Sequence, residues 1–165
     1  MAVDTKTILY MLARNFDLKR DTIKERLRLQ KTIYLLQAHG LQLGYGFSWY
    51  RYGPYSQDLV YDAYAVLGSE RQKHENAARG LSFSRNTLRK FEKFRQICGD
   101  VLNDAGELEV AASVDFVRQT WPEKGSIEDL DKFFKEHKKQ LFDRRMITTK
   151  MIEKALGVSQ KLRGN

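Results

Sequence analysis

A chain of 165 residues, 42% hydrophobic and 30% charged, is long enough for one core and too short for two ordinary domains, and its composition excludes a disordered protein. Lys and Arg number 29 against 21 Asp and Glu; the formal charge of +8 favours nucleic acid, anionic lipid or an acidic protein as partner. A single cysteine, Cys98, excludes an internal disulfide and a cysteine-built zinc site.

No apolar run reaches bilayer length, so no membrane partner is expected. The opening MAVDTKTILYMLARNF lacks the order of a secretory signal, and the expected setting is cytoplasmic.

In chain order, Asp4 to Phe16 places Ile8, Leu9, Leu12 and Phe16 on one helical face, with Asp4 as N-cap. A longer helix, Asp21 to Leu43, carries Ile23, Leu27, Gln30, Tyr34 and Gln37 in a row, with a stop near Gly40 or Gly44. Phe47 to Tyr52 has strand composition, with Phe47, Trp49 and Arg51 on one face and Ser48, Tyr50 and Tyr52 on the other. Gly53-Pro54 is expected to end that strand, and Ser56 to cap a helix carrying Leu59, Val60, Ala63 and Val66.

The polar stretch 68–80 reads as a loop or short weak helix. Leu81 to Ser84 reads as a second strand, pairing antiparallel with Phe47 to Tyr52 like the wing of a winged-helix fold. Helices follow over Asn86 to Leu102, Leu108 to Thr120 (closed by Trp121-Pro122), the segment capped by Ser126, and Thr148 to Leu156. The expected fold is mainly α (α+β): about seven helices and one small two-stranded ribbon on a winged-helix-like core. A single domain is expected over 1–165, with a motif-bearing half at 1–67, a polar connection at 68–85, a helical half at 86–157 and a frayed tail at 158–165.

Catalytic machinery is not apparent. His39, His74 and His137 lie in unrelated segments without ligand spacing, the glycines from Gly40 to Gly46 lack the Lys-Ser/Thr of a phosphate loop, and no nucleophile elbow occurs. The chain is therefore expected to have no enzyme activity, metal or cofactor. Two basic clusters remain. Lys24, Arg28 and Lys31 share one face of the second helix, and Arg85, Arg89 and Lys93 lead a second group with Lys90 and Arg95; both suit phosphate tracking. The helix after Ser56, where a winged-helix protein would read bases, is acidic and apolar instead.

The stretches RLQKTIYLL (28–36), GYGF (44–47) and YGPYS (52–56), followed by Leu59, resemble the Panacea domain, a family of SocA-like antitoxins and phage-associated proteins that includes the YwgA type. In that family an LQKLLYL-like helix precedes an aromatic strand and a Gly-Pro turn; only Leu29 to Leu59 is specific, though Leu108–Ser113 and Lys138–Leu156 follow the YwgA outline. The resemblance implies a small helical domain that binds a cognate toxin directly, neutralising it or delivering it to a protease. It makes Leu29, Gln30, Lys31, Tyr34, Phe47, Gly53, Pro54, Ser56 and Leu59 motif residues that hold the fold. Tyr50, Arg51, Tyr52 and Tyr55 are the expected contacts for a partner, expected to be acidic, because exposed tyrosines are favoured at binding hot spots. The alternative is a winged-helix-like nucleic-acid binder using the two basic clusters.

Overall fold

The computed structural model describes residues 3–51, 53–143 and 146–164. Among them it is mainly α: helices α1 (Thr5–Phe16), α2 (Ile23–Ala38), α3 (Gln57–Tyr64), α4 (Arg71–Ala78), α5 (Arg85–Cys98), α6 (Ala105–Thr120), α7 (Ile127–His137), α8 (Lys139–Asp143) and α9 (Thr149–Arg163), with one ribbon of β1 (Ser48–Tyr50) and β2 (Gly53–Tyr55). No described helix is long and apolar enough to cross a membrane.

Helix α6 is the centre. Nine of its residues, including Leu108, Val110, Ala111, Val114 and Val117, are buried, so it is enclosed nearly all round. Helices α2 and α9 and strand β2 pack against it. Helix α1 packs on α4, and its Phe16 meets Phe91 and Phe94 of α5 edge-on at 5.3 and 5.7 Å. Side-chain caps start these helices where hydroxyls or carboxylates stand before apolar runs: Asp4, Ser56, Ser84, Asp104, Ser126 and Thr148 each accept a first-turn N–H. Helix α2 starts later than expected because Thr22, not Asp21, caps it, in a reciprocal box with Glu25.

Three expectations are corrected. The ribbon is local: Ser48 pairs with Tyr55, Trp49 with Pro54 and Tyr50 with Gly53. Gly53 and Pro54 therefore begin a second strand instead of ending the first, which a two-stranded ribbon permits because β2 has a free edge where proline's missing N–H needs no partner. Leu81–Ser84 is not a strand; Phe83 packs edge-on against Phe91 at 4.9 Å and Ser84 caps α5, so the expected wing does not form.

The polar stretch contains α4, whose buried His74 meets Thr7 of α1 through Nδ1 at 2.9 Å. The expected frayed tail is the last part of α9. Helix α9 runs through Gly157 because Val158, Ser159 and Leu162 beyond it are buried, and that burial outweighs the roughly 1 kcal/mol helix penalty of one glycine.

Candidate partner-docking site

The ribbon lies against α2 and α6, and its position is set by side chains that take over its backbone hydrogen bonds. Gln30, buried in α2, uses both halves of its amide on one residue: Nε2 donates to the Ser56 carbonyl (2.9 Å) and Oε1 accepts from the Ser56 N–H (3.0 Å). Lys31, only 1% exposed, donates from Nζ to the Pro54 carbonyl at 2.6 Å. Lys138, at the end of α7, donates to the Arg51 carbonyl (3.2 Å) and to Glu109 of α6 (3.1 Å). Three carbonyls within six residues of chain are thus each held by a buried donor, as polar groups removed from water require.

Gly53 completes the fit. Its φ of +88° is left-handed, and a Cβ there would lie 2.3 Å from Ser113 Oγ on α6, so both conformation and space call for glycine. Burial pushes the Lys31 ammonium down to about 7; the carboxylate of Glu109 opposes that shift and the charge of Lys138 adds to it.

The inner rings anchor the ribbon. Phe47 packs edge-on against Tyr34 (5.1 Å), and Trp49 edge-on against Phe133 (5.2 Å) and at a tilt against Phe116 (5.9 Å). Tyr34 donates to Asp115 at 2.7 Å; that carboxylate, fully buried in α6, also accepts from Ser159 Oγ and from Nε and Nη2 of Arg163 on α9. Burial and the Asp115 charge raise the Tyr34 hydroxyl far above the ordinary phenol range. Leu29 and Leu59 are buried beside these groups in the same core.

On the outer side, Tyr50 is 62% exposed with its ring 5.2 Å from that of Tyr55, and Arg51 is exposed. Tyr52 lies outside the described residues. Burial and then the neighbouring Tyr50, Tyr61 and Tyr64 raise the Tyr55 hydroxyl. Tyr50 and Tyr55 form one wall of a cleft of about 320 Å³, with Ile23 and Leu27 of α2 and Val60 and Tyr64 of α3 on the others. Arg20 and Arg26 also line it. The sequence places Ile23 in a helical row and the two arginines in a basic run, and offers no way to bring α2 and α3 together around one cleft with Tyr64.

The basic clusters fare differently. Lys24 is exposed, but Lys31 is buried, and Arg28 lies across the end of α1, donating to the carbonyls of Phe16 (3.0 Å), Asp17 (2.6 Å) and Leu102 (2.8 Å). The phosphate-tracking face expected on α2 is therefore absent: two of its three cations close gaps within the fold. On α5, Arg85, Arg89, Lys90 and Lys93 are exposed, while Arg95 is tied to Asn15 and lies over Phe16.

Compared with family models, with curated proteins and with solved structures, the chain gives no match in any of the three.

Proposed function

We propose that this chain is a cytoplasmic protein-interaction module of the Panacea-like antitoxin kind, which neutralises or delivers a toxin or phage-defence partner by direct binding at the cleft beside Tyr50 and Tyr55. The observation that carries this reading is the pairing of an immobilised ribbon with exposed rings. Gln30, Lys31 and Lys138 hold the backbone, while Tyr50, Tyr61, Tyr64 and Ile23 remain 41–65% exposed in its vicinity. Rigid, exposed tyrosines make contact area at little entropic cost. Binding rather than catalysis is further supported by Lys31: the side chain most like a reactive amine has its nitrogen buried on a backbone carbonyl.

The test is affinity purification from source cells with the wild-type chain and with a Tyr50→Ala/Tyr55→Ala variant, followed by co-expression with the captured protein. A partner lost in the variant, whose toxicity the wild-type chain relieves, supports the reading. Equal capture by both, or no relief of growth, overturns it.

A second reading, nucleic-acid binding along α5, is favoured by one observation: Arg85, Arg89, Lys90 and Lys93 are exposed and form no ion pair among the described residues. It predicts capture that nuclease abolishes and affinity that falls steeply with salt.

A further inference from the structure

The cleft has two kinds of lining. One is apolar: Tyr50, Tyr64 and Ile23 stand 62%, 41% and 61% exposed at its margin, and Leu27, Val60 and Ala63 line it with them. The other is cationic. The Arg20 guanidinium lies 4.7 Å from the Tyr64 ring centroid, and its buried Nε has no hydrogen-bond partner. Arg26 donates through one nitrogen to the carbonyls of Arg20 and Asp21 (3.1 Å each). Among the described residues neither arginine has a carboxylate within ion-pair reach.

We propose, resting on the docking reading above, that the cleft takes one large apolar side chain of a partner protein, with an adjacent carboxylate of that partner paired to Arg20 and Arg26. The volume is at the small end for ligand pockets, which run from about 300 to 1,000 Å³, and it suits one or two side chains rather than a helix. The lining divides the ligand into an apolar body and an anionic neighbour. Guanidinium groups prefer planar, bidentate carboxylates, and the +8 charge of the chain favours an acidic partner during encounter. A nucleobase fits less well. A base by itself carries no anionic group to pair with Arg20 and Arg26.

The test titrates the full chain into labelled peptides, read by fluorescence anisotropy. The first is a capped Gly-Asp-Phe-Glu-Gly. The others replace Phe by Ala, replace the acids by Asn and Gln, or end in Phe with a free α-carboxylate. A short thymidine oligonucleotide serves as competitor. The expected result is saturable binding of the acidic Phe peptide, weakened about tenfold or more by either peptide replacement, by Tyr50→Ala and by Arg20→Gln; Arg89→Gln on α5 leaves it unchanged. If the peptide ending in Phe binds as well as the Asp/Glu peptide, the carboxylate can come from a chain end, and the proposal stands with that source.

No saturable binding up to about 1 mM, a range that covers weak specific complexes, overturns the proposal. So does equal binding of the Asn/Gln peptide, a comparison that leaves the protein unaltered and so holds even if Arg20→Gln misfolds. Displacement of the peptide by the oligonucleotide overturns it in favour of nucleic acid. A cellular partner that needs Tyr50 but not Arg20 sinks this inference alone; one that needs neither sinks the docking reading as well.

Discussion

The side-chain amide of Gln30 hydrogen-bonds both backbone groups of Ser56, at 2.9 and 3.0 Å, so that a helix side chain takes the place of a third strand at the ribbon's exit. Ser56 is at the same time the N-cap of α3. One residue of α2 thus fixes where the ribbon ends and where α3 begins, and with them the spacing of Tyr55 and Tyr64 across the cleft. Replacing Gln30 by Leu leaves the buried Ser56 N–H unpaired, at a cost of about 1–3 kcal/mol, while the Ser56 carbonyl keeps the Val60 N–H at 3.2 Å. A loss of about 1–3 kcal/mol in urea unfolding is expected, and an unchanged midpoint would show that water or repacking serves Ser56 equally well.

Lys31 makes stability depend on pH. Its folded value is about 7 against an ordinary 10.5, with burial as the main cause. Between those values the unfolded chain binds more protons, so stability rises with pH; below about 7 both states are charged and the burial penalty is fully present. The slope has an upper bound of about 1.4 kcal/mol per pH unit. Cys98, pushed up to about 12 from 9 by burial, acts in the opposite sense above pH 9, which leaves pH 7 to 9 as the window. Denaturant midpoints should climb across that window in the wild type and stay flat in Lys31→Met.

Gly53→Ala places a methyl 2.3 Å from Ser113 Oγ on a left-handed backbone. Left-handed strain of about 1–2 kcal/mol and overpacking of about 1–3 kcal/mol add, so a loss of about 2–5 kcal/mol is expected. Adding Ser113→Ala, which removes the nearest atom, should recover the steric part only. Full recovery would mean that the backbone conformation is not strained.

Deleting residues 158–165 should unfold the domain, not trim it. The deletion removes buried Val158 and Leu162 and strips Ser159 and Arg163 from Asp115, a carboxylate with no exposure. An unpaired buried charge alone costs about 3–5 kcal/mol, a large share of the roughly 5–15 kcal/mol that holds a domain together. A truncated chain with the wild-type melting temperature would show that α9 beyond Gly157 is dispensable.

Local features told their story in sequence. Caps at Asp4, Ser56 and Ser126, the stop at Trp121-Pro122 and the apolar spacing of α1, α5 and α7 all fall within short windows, where one turn of helix decides the outcome. The mainly helical class with a small ribbon follows from them. The partner of the aromatic strand was not legible. The strand partner chosen for Phe47 to Tyr52 was wrong because β composition does not name its neighbour, and a pairing close in sequence loses less loop entropy.

By itself, then, the sequence determined the capped helix starts at Asp4, Ser56 and Ser126 and the strand character around Trp49, since these rest on backbone geometry and capping within a few residues. Only the tertiary structure decided what the polar residues of α2 do. Arg28 and Lys31 read as part of a face suited to phosphates, yet each is directed to a backbone carbonyl far along the chain, because burying a carbonyl without a donor costs more than burying the donor with it. The same packing left Ile23, Tyr50 and Tyr64 uncovered around one cleft, a surface made by three segments that no local window contains.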